Sequence, residues 1–237
     1  MRFVSLARLL FCLTLLLAFG LALSSWGRGH PQYLPWTPLS LAEAVGPFTH
    51  YKIVRLQGDF PACRKLLDAA DERYAVLPSR SPEGRCGYDD AVRLDDAKRF
   101  SYTPRAEVSC VVAAGLFLWE KQVVEPAALK HFGVPVRRID TYGSYSCRTI
   151  GGEREGRLSE HARANAIDIA AFRLADGRRI TVARDWNGDG QAAAFLREVR
   201  DGACGMFATT LSPDYNSAHR DHLHLDQAGR GGWSFCR

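Results

Sequence analysis

The chain has 237 residues, 46% apolar and 24% charged, with a formal charge of +5. That composition supports a folded core and excludes a disordered or fibrous chain. The mild basic excess comes with no basic run interleaved with aromatics, so nucleic acid is not expected as a partner.

The first element is an export signal. Arg2 and Arg8 precede an apolar run, Leu9 to Leu23, the order of a signal sequence. Ala22-Leu23-Ser24 offers a small-x-small cleavage site, but reading on through Trp26 gives 18 largely apolar residues, enough for a short membrane span. Residues 1–26 are therefore read as a signal peptide or a signal anchor, with the rest of the chain outside the membrane. Cys12 lies inside the run and reads as one more apolar residue. Residues 27–48, with scattered prolines and glycines, read as an extended juxtamembrane tether. Residues 49–237 form the domain.

Within the domain, Ala62, Leu66, Leu67 and Ala70 fall at helical spacing and predict a helix over 59–79. A turn-rich stretch, SPEGR, follows at 81–85. The strongest helix candidate covers 106–131, with Val111, Val112, Gly115, Leu116, Leu118, Trp119 and Val123 on an apolar face and Glu120 and Lys121 on the wet side. Pro126 opens a second short helix ending near Gly133. The pattern then changes. Val136 to Ser146 alternates and is rich in Tyr and β-branched residues, a strand. Residues 148–160 are a loop. Ala166 to Leu174 is a second strand, Asp176-Gly177 a hairpin turn, and Arg179 to Ala183 the returning strand. Ala192 to Arg200 is helical, 207–218 irregular, and His222 to Asp226 a last strand. Asp185-Trp186-Asn187-Gly188-Asp189-Gly190 opens like a calcium loop, but the twelfth position is Leu196 where an EF-hand needs Glu, and it reads as a polar turn.

Apart from Cys12, the cysteines are Cys63, Cys86, Cys110, Cys147, Cys204 and Cys236. An even number in an exported chain predicts disulfides, and the absence of CxxC pairs and of cysteine-plus-histidine finger spacing argues against a cysteine-bound zinc site. The fold class that results is α+β: a helical N-terminal half packed on a small, mainly antiparallel sheet, stapled by disulfides.

The chemistry concentrates in two places. His219, His222 and His224 crowd into six residues beside Asp221. Alternation puts His222 and His224 on one face of a strand. Upstream, His161 precedes Asp168 by seven residues, and Asp168 sits inside the apolar run AIDIAAF. An Asp there needs a partner, and a bound cation supplies one as readily as an arginine such as Arg148 or Arg163. Together the two segments offer three ligands for zinc and leave a fourth position open, the composition of a catalytic rather than a structural site.

S-x-H-x(6)-D followed by a late H-x-H resembles the zinc peptidases that cleave D-Ala-containing peptides and peptidoglycan cross-links. With LPWTPL near the N-terminus, the CG-x-x-DAVRL-like text and AHRDHLHLD near the end, the chain is similar to the bacterial extensin-like C-terminal family. The resemblance implies His161, Asp168 and His224 as Zn2+ ligands. It implies Asp221 or His222 as general base, with His219, His222 and Arg148 as candidates to steady the oxyanion, and Arg148 also as a holder of a substrate carboxylate. Two departures stand out. Ala164 occupies a position usually taken by Gly, and the usual Glu base is absent or shortened to Asp221. The expected activity is a periplasmic metallopeptidase, a peptidoglycan endopeptidase or carboxypeptidase, acting on peptidoglycan peptides. The chain would be secreted or held in the inner membrane by its N-terminal helix. The alternative is an inactive envelope protein that binds zinc or peptidoglycan.

Overall fold

The computed structural model describes residues 2–81, 85–94, 100–152, 155–231 and 233–237, with side chains from residue 8 onward. The turn expected over 81–85 falls largely on residues 82–84, outside the described residues, as does the Arg2 side chain. The first helix, α1 (Arg2–Gly29), is continuous and stands clear of the body. Its apolar stretch, Arg8–Gly29, is long and apolar enough to cross a membrane.

The segment after it does not run extended. A turn of 3₁₀ helix at Pro31–Tyr33 is followed by irregular chain in which Leu41 is buried and Leu39 and Val45 pack against the core. Helix α2 (Thr49–Val54) leads to α3 (Phe60–Ala69), which starts where the Asp59 carboxylate accepts from Ala62 N at 3.0 Å. Predicted to reach residue 79, α3 instead ends at Ala69, and Asp71, two residues on, turns the chain away with φ 55°. Beyond it lie three short strands, β1 (Ala75–Val76), β2 (Ala91–Arg93) and β4 (Glu107–Ser109), in one antiparallel sheet. Between β2 and β4 comes β3 (Ser101–Thr103). None of these four is long enough to show an alternating pattern.

The long helix predicted over 106–131 is three pieces. Helix α4 (Cys110–Trp119) is capped by Ser109 and buried along every residue. A π-turn covers Glu120–Val124, and α5 (Glu125–Phe132) opens on Pro126 and ends at left-handed Gly133, φ 71°. Glu120 is not on the wet side. It is fully buried and accepts a hydrogen bond from Tyr102 Oη. The reason is visible in α4: a helix apolar all round occupies the centre of the domain, and Glu120 directly after it is still enclosed by that core, while exposed positions return only from Pro126 on. Leu116, Phe117, Leu118 and Trp119 are buried there, each contributing about 1.5–3 kcal/mol. Trp119 Nε1 donates to Val199 O at 2.8 Å, and its ring packs on Phe172, which in turn packs on Phe195.

The main sheet runs β10-β8-β9-β6-β5-β3, with β7 paired to residues 171–173 of β6, beyond the residues 166–169 that β9 pairs. Its long strands match expectation: β5 (Val136–Gly143) and β6 (Ala166–Leu174), followed by β7 (Arg179–Thr181). After a turn of helix, α6 (Val182–Asp185), comes α7 (Gln191–Ala203), on the sheet's helical side. Then follow β8 (Thr209–Leu211), β9 (Leu223–Asp226) and β10 (Phe235–Cys236). Strands β8 and β10 lie where irregular chain or no element was expected, and pair in parallel with each other. The remaining parallel pair is β3 with β5. The fold is α+β, with helices in the N-terminal half and a mainly antiparallel sheet behind them. Three disulfides staple it: Cys63–Cys110, Cys86–Cys147 and Cys204–Cys236. The polar turn at 185–190 holds its first carboxylate on protein: Asp185 Oδ2 accepts from Thr181 N at 2.6 Å.

Candidate metal centre

Strand β6 runs through the middle of the sheet, with Asp168 paired to Gly143 on one side and to His224 on the other. Antiparallel register therefore sets Asp168 and His224 side by side, with side chains on one face. His161 arrives from a 3₁₀ turn, Glu160–Arg163, just upstream of β6. The turn is started by Ser159, whose Oγ accepts from His161 N, and is reversed at Ala164, φ 53°. That left-handed angle costs an L-residue about 1 kcal/mol and explains why glycine suits the position. The strain is held by neighbours: Ser109 N donates to Ala164 O, and Asn165 Nδ2 bridges Glu160 Oε2 and Gln227 O. Behind the turn, Gly87 N donates to Ala162 O. A Cβ at Gly87 would lie 2.1 Å from Arg80 O, so only glycine fits.

These elements bring His161, Asp168 and His224 together, all buried, with one ligand atom of each within 4.8 Å of the others. His161 Nε2 is 3.1 Å from His224 Nδ1 and 3.2 Å from Asp168 Oδ1, and His224 Nδ1 is 2.9 Å from Asp168 Oδ1. A tetrahedral zinc site with bonds of about 2.0–2.1 Å has ligand–ligand edges of roughly 3.3 Å.

The outer nitrogens decide what faces inward. His161 Nδ1 lies 2.6 Å from Ser144 O, and a carbonyl only accepts, so Nδ1 carries the hydrogen and Nε2 presents a lone pair. His224 Nε2 lies 3.1 Å from the Asp226 carboxylate and donates to it, leaving Nδ1 as the inner atom. Three electron-rich atoms then meet at about van der Waals contact or closer. Such a cluster is stable only with a proton or a cation between its members. With a proton there, burial alone would lower the His224 pKa, but Asp168 and Asp226 override it and push it up to about 9. Asp168 shows the converse: burial would raise its carboxyl, yet hydrogen bonds and charge from His161 and His224 hold it far below the ordinary carboxylate range. The donor set fits a divalent cation such as zinc.

Around this centre opens a cleft of about 820 Å³ that also holds Arg148, His219, Asp221 and His222. All seven residues singled out from the sequence therefore line one cavity. A second cleft, of about 730 Å³, lies across the Ser159–Glu160 wall and contains no histidine.

The family described as extensin-like protein C-terminus matches residues 61–237, well over half of the chain. The chain belongs to this family. No curated protein and no solved structure matches it. In this extensin-like domain, the match begins inside α3 and takes in the whole centre.

The remaining polar groups are arranged in relays. Asp221 Oδ1 accepts from His222 Nδ1 at 2.9 Å, which leaves His222 Nε2 pointing inward, 3.5 Å from Asp168 Oδ1. The Asn216 carbonyl oxygen already accepts from Ala218 N, so it also accepts from His219 Nδ1, at 2.7 Å. His219 is lowered to about 4 by burial and by His222 and His224 beside it. It is neutral at ordinary pH and presents an acceptor, not the donor that an oxyanion would need. Arg148 reaches over the cleft, half exposed, with Nη2 3.7 Å from Asp168 Oδ2. Its loop is pinned by Cys86–Cys147. Asp226, Asn216 and Ser144 were missed in the sequence. A signal existed for Asp226 alone: it follows His222 and His224 at period two, on the same strand face.

Proposed function

We propose that this extensin-like domain is a zinc-dependent peptidase that cleaves peptide cross-links of peptidoglycan in the periplasm. The observation that carries the reading is the inward convergence of His161 Nε2, Asp168 Oδ1 and His224 Nδ1, with both outer imidazole nitrogens already satisfied. That arrangement would hold zinc through three protein ligands and leave the cleft side open. Zinc, when bound there, supplies Lewis-acid polarisation of a carbonyl and makes water more acidic. The chain's own groups supply the rest. Asp221 holds His222 in the tautomer whose Nε2 accepts a proton, which favours His222 as base and Asp221 as its positioning residue. Arg148 supplies positive charge over the cleft for an oxyanion or a substrate carboxylate. Export is supported by the apolar N-terminal helix and by three disulfides, which persist in oxidising compartments.

The test is mass spectrometry of purified cross-linked muropeptides incubated with the protein. Dimers should convert to monomers. The activity should vanish with a chelator, return with zinc, and be absent in His161→Ala and Asp168→Ala. Full cleavage by metal-stripped protein or by either variant would overturn the reading.

A further inference from the structure

The N-terminal 45 residues combine three features that have a common explanation. First, the apolar part of α1 spans 22 residues, Arg8–Gly29, with mean hydropathy 2.1, and all of it but Gly27 is exposed. At 1.5 Å per residue it measures about 33 Å, the thickness of a bilayer's hydrocarbon core. Read through Trp26, the largely apolar stretch of 18 residues is longer than the 7–15 of a cleavable signal core, and the helix passes unbroken through Ala22-Leu23-Ser24.

Second, aromatic residues gather where the helix ends. Trp26 stacks on His30 with centroids 4.7 Å apart, and Tyr33 lies 5.7 Å from Trp26. Trp36 follows. Trp26, Tyr33 and Trp36 are 50%, 46% and 74% exposed, so about half or more of each side chain faces outward. Large amphipathic rings at the end of an apolar span are what a lipid–water interface takes up.

Third, the chain beyond the rings is strapped down. Lys52 Nζ donates to Pro31 O at 2.8 Å and to Thr37 Oγ1 at 2.7 Å. Lys121 Nζ donates to Leu41 O and Ala42 O, Gln122 Nε2 donates to Glu43 O, and Leu41 is buried.

We propose that α1 is retained as a membrane anchor and that Trp26, Tyr33 and Trp36 form a collar docked in the headgroup layer, holding the domain against the bilayer surface. The occupant of the aromatic face is lipid. The strap replaces a flexible tether, so the metal cleft works on material next to the membrane. This inference stands whether or not the centre is a peptidase.

Two measurements on the full chain test it. After expression with a C-terminal tag, carbonate-washed membranes should retain the protein, with an intact mass that includes residues 1–26. A soluble main species starting after residue 24 would overturn the anchor. In nanodiscs, lipids brominated near the headgroup should quench Trp fluorescence more than deeply brominated ones. Trp36→Phe, an exposed substitution that leaves the core untouched, should remove a measurable share of the shallow quenching. Equal quenching in wild type and Trp36→Phe would overturn the collar.

Discussion

At the scale of single residues, the centre is governed by which nitrogen carries the hydrogen. His161 and His224 present inward lone pairs because Ser144 O and Asp226 take their outer N–H groups. Asp226 thus acts on a cation only through His224, and carboxylate partners of this kind tune affinity by about 10–100-fold. Asp226→Asn should weaken zinc binding by about that factor in a competition titration. Asp221→Asn should leave zinc affinity unchanged and lower kcat, because Asp221 touches His222 and not the three-ligand cluster. Equal zinc affinity in wild type and Asp226→Asn would remove Asp226 from this role. The departure at Ala164 also belongs here. Its φ of 53° places alanine in a glycine conformation, and the turn that carries His161 holds it there.

At the scale of elements, the sheet edge away from the centre is clamped by charge. Asp140 on β5 accepts from Arg173 Nε on β6 and from Arg179 Nε on β7, the latter at 2.7 Å. Burial would raise the Asp140 carboxyl, but the two guanidinium groups outweigh it and hold it below its ordinary value. A carboxyl lowered in the fold stabilises above its unfolded pKa of about 3.9, and that contribution is lost as pH falls through the lower, folded value. Acid unfolding followed by circular dichroism should therefore show Asp140→Asn less stable than wild type at pH 7, by about 1–3 kcal/mol. The gap should close as the pH drops below about 4. A gap that persists unchanged at pH 2 would show that the clamp acts through packing and not through charge.

At the scale of the whole molecule, the disulfides tie together parts that the sheet does not. Cys63–Cys110 joins α3 to the start of buried α4, across 47 residues. Cys86–Cys147 joins the chain behind His161 to the Arg148 loop, across 61. Loops of this length contribute about 2–4 kcal/mol each by restricting the unfolded chain. Replacing Cys63 and Cys110 by Ser should lower the urea midpoint, with an unfolding free energy smaller by that amount, while leaving zinc affinity near wild type. Replacing Cys86 and Cys147 should cost similar stability and also raise KM, since Arg148 loses its support. Unchanged midpoints in both would mean that the core alone defines stability.

Much of this was legible in the order of residues. The period-two runs at 136–143 and 166–174, the proline opening α5, the glycine closing it and the crowding of His219, His222 and His224 are local patterns, and local backbone geometry is enough to read them. The residue types of the centre were legible for the same reason: an Asp inside AIDIAAF demands a partner wherever the chain goes. What only the tertiary structure decided is who meets whom. The register Asp168–His224, the carbonyl of Ser144 behind His161, the buried Glu120, the short strands β1–β4, β8 and β10 and the strapped segment after α1 all depend on chain-distant packing. A short strand or a buried carboxylate has no signature of its own. It exists only when a neighbour, brought from elsewhere in the chain, completes its hydrogen bonds.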